Sequence, residues 1–81
     1  MIAFVKGTLT EISALGAVVD VGGVGMNLLT SANALKGKKV GDQVQVPTVM
    51  VVREDHMTLY GFADEGERKL FLHLISVSGI G

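Results

Sequence analysis

Two adjacent carboxylates, Glu54 and Asp55, stand between Arg53 and His56 in the stretch VVREDHMTLYGF, residues 51–62. Side chains of these types transfer protons, ligate cations or repel phosphates. The first two tasks need further groups converging on the same point. His56 is merely the next residue after Asp55, and the other histidine, His73, has no acidic residue four positions away on either side. Neither histidine falls in a triad or metal-ligand spacing, and the absence of cysteine removes thiolate ligands. We therefore assign no catalytic residue, no metal site and no cofactor. On their own, Glu54 and Asp55 read as half of a solvated four-residue turn, Arg53 to His56.

Two other groups bear on anions. Lys36, Lys38 and Lys39 of the run KGKK read as a phosphate patch or as a solvated loop. Gly79, Ile80 and Gly81 follow an amphipathic stretch. A Gly, apolar, Gly triplet lets backbone approach a phosphate closely where a second helix N-terminus would aim free N–H groups at it. The same triplet also reads as a glycine helix cap.

The elements that position these residues follow from periodicity. Up to about residue 62 the apolar residues recur with period 2. In residues 43–52, Val44, Val46, Thr48, Met50 and Val52 share one face, while Gln43, Gln45 and Pro47 share the other. Pro47 predicts a bulge or an edge position there. Residues 17–21 and 24–30 flank Gly22 and Gly23, a two-residue loop suited to a tight hairpin. A first strand covers about residues 2–12, with Gly7 placed to bend it so that it serves two sheets. Residues 31–42 form a connector, and residues 56–62 a fifth strand, which puts Glu54 and Asp55 at a hairpin tip. Five short antiparallel strands with a connector between the third and fourth predict a small closed barrel of the oligonucleotide and oligosaccharide binding (OB) type.

At Asp64 the period changes. Leu70, Phe71, Leu74 and Ile75 recur at helical spacing, with Glu65, Glu67, Arg68 and Lys69 on a polar face. Asp64 and Glu67 fit a capping box, so a helix is predicted over about residues 65–77. This divides the chain into a mainly β barrel domain, residues 1–64, and the start of a second, helical domain, residues 65–81.

Composition sets outer bounds. A domain of 81 residues buries only about 60% of the surface its unfolded chain exposes, so oligomerisation is an expected source of stability. Seven Lys and Arg against eight Asp and Glu give a net charge of −1, which supplies no general attraction for phosphates. The chain shows neither a signal peptide nor an apolar run of membrane-spanning length, and we read it as cytoplasmic with no membrane partner. The aromatic residues Phe4, Tyr60, Phe62 and Phe71 are expected in the core rather than as base-stacking platforms.

Four stretches, MIAFVKGTL, VGGVGMNLL, VVREDHMTLYGF and ERKLFLHLISVSGIG, together resemble the N-terminal part of the RuvA family, the Holliday junction branch migration subunits. The resemblance covers essentially the whole chain. It implies an OB barrel followed by a domain with two helix-hairpin-helix motifs, of which Gly79, Ile80 and Gly81 begin the first hairpin. On that reading the chain is an N-terminal fragment of a non-enzymatic, DNA-binding subunit of recombination and repair. The resemblance further implies a homotetramer, singly or paired as an octamer on four-way junction DNA. It implies a RuvB motor carrying the ATPase and a RuvC resolvase, both engaged through the full-length protein. Glu54 and Asp55 would stand at the centre of the tetramer as an acidic pin, with Arg53, Gly79, Ile80 and Gly81 as phosphate contacts. The alternative is a module for oligomerisation only, or for single-strand binding.

Overall fold

A computed structural model describes residues 1–78, so Gly79, Ile80 and Gly81 lie outside the described residues. The chain order is β1 (Phe4–Ile12), β2 (Gly16–Val21), β3 (Val24–Thr30), a short 3-10 helix (Ala32–Leu35), β4 (Gln43–Val52), β5 (Met57–Gly61) and α1 (Glu65–Ser78). The strands close in the order β1-β2-β3-β5-β4. All neighbours are antiparallel except β3 and β5, which close the barrel through a short parallel ladder, Leu29 opposite Tyr60 and Thr30 opposite Gly61.

β1 does serve two neighbours, since Phe4 to Thr8 pair with β4 and Thr8 to Ile12 with β2. The irregularity that turns the strand lies between Leu9 and Glu11 rather than at Gly7. Gly7 answers a different need, because a Cβ there would lie 2.1 Å from the Asp20 carbonyl oxygen on β2. Gly22 and Gly23 have φ of 60° and 95°, the left-handed values that a two-residue hairpin loop matched to strand twist requires. Pro47 marks neither an edge nor a bulge. It stands where β4 exchanges partners, opposite Phe4 of β1 on one side and accepting from the Phe62 N–H at 2.9 Å on the other. Proline cannot return that bond, and the β4–β5 ladder ends there, at Thr48 opposite Gly61.

The barrel interior holds Val5, Leu9, Ala17, Val19, Leu28, Val44, Val46 and Leu59. Thr48 is also fully buried, and its hydroxyl donates to the Ile2 carbonyl at 2.7 Å. The inward face of β4 runs as expected through Thr48 and the partly buried Met50, but Val52 is exposed because it has climbed out of the barrel into the hairpin arm. Val49, on the opposite face of β4 from Thr48, is nonetheless buried at 1% exposure. α1 packs on this part of β4, where Arg68 donates to the carbonyl of the preceding residue, Thr48.

Beside it, Phe71 of α1 meets Tyr60 and Phe62 at ring-centroid distances of 5.4 and 5.1 Å. These three rings are packed as expected, whereas Phe4 is exposed. It stands on the outer face of β1, one residue out of phase with Val5, with about half of its surface exposed.

α1 begins with the expected cap. Asp64 Oδ1 accepts from the Glu67 N–H at 2.8 Å, and Glu67 Oε1 reaches back to the Ala63 N–H at 3.2 Å, one residue before the cap. Phe71, Leu72 and Ile75 are half-buried, whereas Leu70, Leu74 and Val77 form an exposed stripe. Helical spacing grouped Leu70 and Leu74 with Phe71 and Ile75, but only one side of the helix faces the barrel.

Candidate nucleic-acid interface

β4 is ten residues long and spans about 30 Å. It carries charge of opposite sign just beyond its two ends. Before it, Lys36, Lys38 and Lys39 are all exposed in the loop after the 3-10 helix, tied back where the Lys39 N–H donates to Asp42 Oδ2 at 3.0 Å. After it comes the β4–β5 tip. The ladder ends at Val52 opposite Met57, and the Arg53 N–H donates to the His56 carbonyl at 2.8 Å, leaving Glu54 and Asp55 at the apex.

All four tip side chains are exposed. Asp55 Oδ1 lies 2.7 Å from His56 Nδ1, a distance at which the imidazole N–H donates to the carboxylate. Neither the Glu54 carboxylate nor the Arg53 guanidinium has a hydrogen bond or ion pair with another described residue. The tip thus presents two carboxylates to solvent, one of them oriented by a neighbour. Its mount is firm, since five successive β4–β5 pairs, Thr48 opposite Gly61 through Val52 opposite Met57, run down to the closed barrel.

Arg68 has a different role from the one its place on the polar face suggested. Its Nε donates to the Thr48 carbonyl at 2.6 Å and its guanidinium pairs with Glu65 at 2.8 Å. With only 14% of its side chain exposed, Arg68 latches α1 to β4 and has no free face for a phosphate. Period alone could not reveal this, because the acceptor is a backbone carbonyl twenty residues away. Lys69 and His73 point outward and are exposed. Among the described residues no three His, Cys, Asp or Glu side chains gather to hold a metal ion, and no helix is long and apolar enough to cross a membrane.

The strand order and the acidic hairpin arm gain a context from known proteins. The model of the RuvA N-terminal domain family matches residues 1–61. The chain belongs to that family. Its barrel is accordingly of the OB type. Relatives named "Holliday junction branch migration complex subunit RuvA" align with all of it. That of Nocardioides sp. is 47% identical over 81 residues, that of Renibacterium salmoninarum 48% over 81, and that of Gloeobacter violaceus 49% over 86. The chain spans about two fifths of the length of these curated relatives, namely 40%, 38% and 42%.

Proposed function

We propose that this chain is the junction-recognising, assembly-forming end of a RuvA-type subunit and is itself non-catalytic. Four copies, as one tetramer or as two facing each other across the DNA, would bring their β4–β5 tips to the centre of a four-way junction. Glu54 and Asp55 there repel phosphates, keep continuous duplex off the centre and guide strands apart as they cross. One such repulsion at 4 Å is about 1 kcal/mol in bulk water and about 4 kcal/mol at an effective dielectric of 20, so several converging carboxylates compete with attractive contacts. Screening over roughly 8 Å confines the effect to the crossover.

Arg53, beside the pair and unengaged, would meet a phosphate. The main grip on the arms would come from helix-hairpin-helix segments, beginning at Gly79, Ile80 and Gly81. RuvB, the ATPase, and RuvC would engage through other parts of the complete protein, in the cytoplasm.

The observation that carries this reading is the exposed pair of carboxylates on a hairpin arm rooted in a closed barrel, within a chain matched over its whole length by RuvA relatives. A single-strand-binding module has one observation in its favour, the exposed Phe4 with Lys6 two residues along the same strand face. One ring falls short of the series of stacking platforms such a module uses, and the other three are packed between barrel and helix.

The test grafts residues 1–81 onto the remainder of the Nocardioides relative and measures affinity for a four-way junction and for duplex. In E54Q/D55N, duplex affinity should rise more than junction affinity, lowering their ratio by about fivefold, the equivalent of about 1 kcal/mol. E54K/D55K should lower it further. An unchanged ratio, with fold and assembly mass intact, refutes the acidic pin. Residues 1–81 alone should bind the junction far more weakly than the graft, with a shallow salt dependence because few phosphates are neutralised.

A further inference from the structure

The contact between His56 and Asp55 does nothing for the barrel. Both side chains are largely in solvent, 58% and 85% exposed, and an exposed pair of this kind adds little to stability. Its consequence lies in what the tip presents. The hydrogen bond from the Arg53 N–H to the His56 carbonyl fixes the peptide that carries the imidazole relative to β4. From that fixed base, Nδ1 reaches Asp55 Oδ1 while the Asp55 side chain as a whole stays exposed. The ring therefore settles where half of the acidic pair points.

Histidine is also the one side chain here whose type changes charge between pH 5 and 8. The other charged groups of the tip are Arg53, Glu54 and Asp55, and the strand ends beneath it contribute only Val51, Val52, Met57 and Thr58, none of them titratable. With one positive and two negative charges besides, the tip carries net −1 when His56 is neutral and zero when it is protonated. Copies converging on one point multiply that difference.

We propose that His56 is a positioning and charge-setting residue for the acidic pair, clamping Asp55 and cancelling one of its two negative charges on protonation, so that preference for junction over continuous duplex strengthens from pH 5.5 to 8. This rests on the reading of Glu54 and Asp55 as facing the crossover. The sign follows from the charge count: with a protonated imidazole the tip is neutral overall and tolerates duplex phosphates, and with a neutral one it carries net −1 and repels them.

The junction-to-duplex affinity ratio of the grafted full chain, measured at pH 5.5, 6.5 and 8.0 and constant ionic strength, decides the matter. The ratio should rise about threefold or more across this range, as expected for one charge per tip acting at partly screened distance. H73Q, at the chain's other histidine, should keep the rise. H56Q retains an uncharged donor and should give a flat profile at the wild-type pH 8 value. No rise in the wild type, or a rise that survives in H56Q, overturns the proposal. If E54Q/D55N leaves the ratio at pH 8 unchanged, the acidic pin itself falls. If E54Q/D55N changes the ratio while H56Q keeps the wild-type profile, only the role of His56 falls. A readout without DNA checks the clamp: D55N should move the imidazole nitrogen resonances of His56 and leave those of His73 in place, and an unmoved His56 resonance would count against it.

Discussion

Two of the barrel's hairpins have tips built on different terms. Between β2 and β3 the chain turns through Gly22 and Gly23, and Asp20 Oδ1 accepts from the Gly23 N–H at 2.7 Å, so the turn's polar side chain is used up inside it. Between β4 and β5 the turn spends four polar or charged residues, Arg53 to His56, and is closed by one backbone hydrogen bond. Only Asp55 and His56 among those side chains engage each other, and neither Arg53 nor Glu54 stabilises the turn. A hairpin can therefore be closed here by a single carboxylate turned into its own turn. The excess at the second tip is free to face a partner, and the physical cost of placing two carboxylates side by side is accepted in water, where it is small.

Three substitutions break or sharpen this contrast. The largest effect is expected from G16A at the start of β2. An added Cβ would lie 1.9 Å from the Leu28 carbonyl oxygen on β3, and backbone in a closed barrel has nowhere to move. A loss of about 3 kcal/mol or more, or failure to fold, should appear in denaturant unfolding. Next comes G22A/G23A. Nothing crowds either position, so the penalty is purely the left-handed backbone, roughly 2 kcal/mol or more in the same measurement, with the junction-to-duplex ratio of the grafted chain unchanged. The smallest is E54Q/D55N. Unfolding free energy should shift by less than about 0.5 kcal/mol, because these side chains are exposed and support no fold contact beyond the one to His56. One tip would then be essential to stability and silent in DNA selection, and the other the reverse. A clear stability loss in E54Q/D55N would erase the distinction and return the tip to an ordinary structural turn.

Much of the architecture can be read along the chain because its causes are local. Period 2 in residues 43–52 is a statement about alternating sides of one strand, and the observed β4 has those very bounds. Gly22 and Gly23 declare a tight turn through their own backbone freedom, and Asp64 with Glu67 declares a helix start through hydrogen bonds that span a few residues. The position of Glu54 and Asp55 at a hairpin tip follows from the two strands on either side. Family membership is legible for the same reason, since it rests on linear stretches such as VVREDHMTLYGF.

Four features were settled only in three dimensions. Val49 is buried and Val52 exposed although alternation had placed Val52 on the inward face, because burial depends on α1 crossing one part of β4 and on the hairpin arm leaving the barrel at the other. Phe4 is exposed although aromatic rings usually are not. Arg68 sits on the polar side of a helical wheel yet donates to the Thr48 carbonyl. The barrel closes through β3 and β5, paired in parallel across thirty intervening residues at Leu29 opposite Tyr60. Period reports which side of its own element a residue occupies. What stands opposite that side is decided by distant segments, and nothing in a local pattern encodes them.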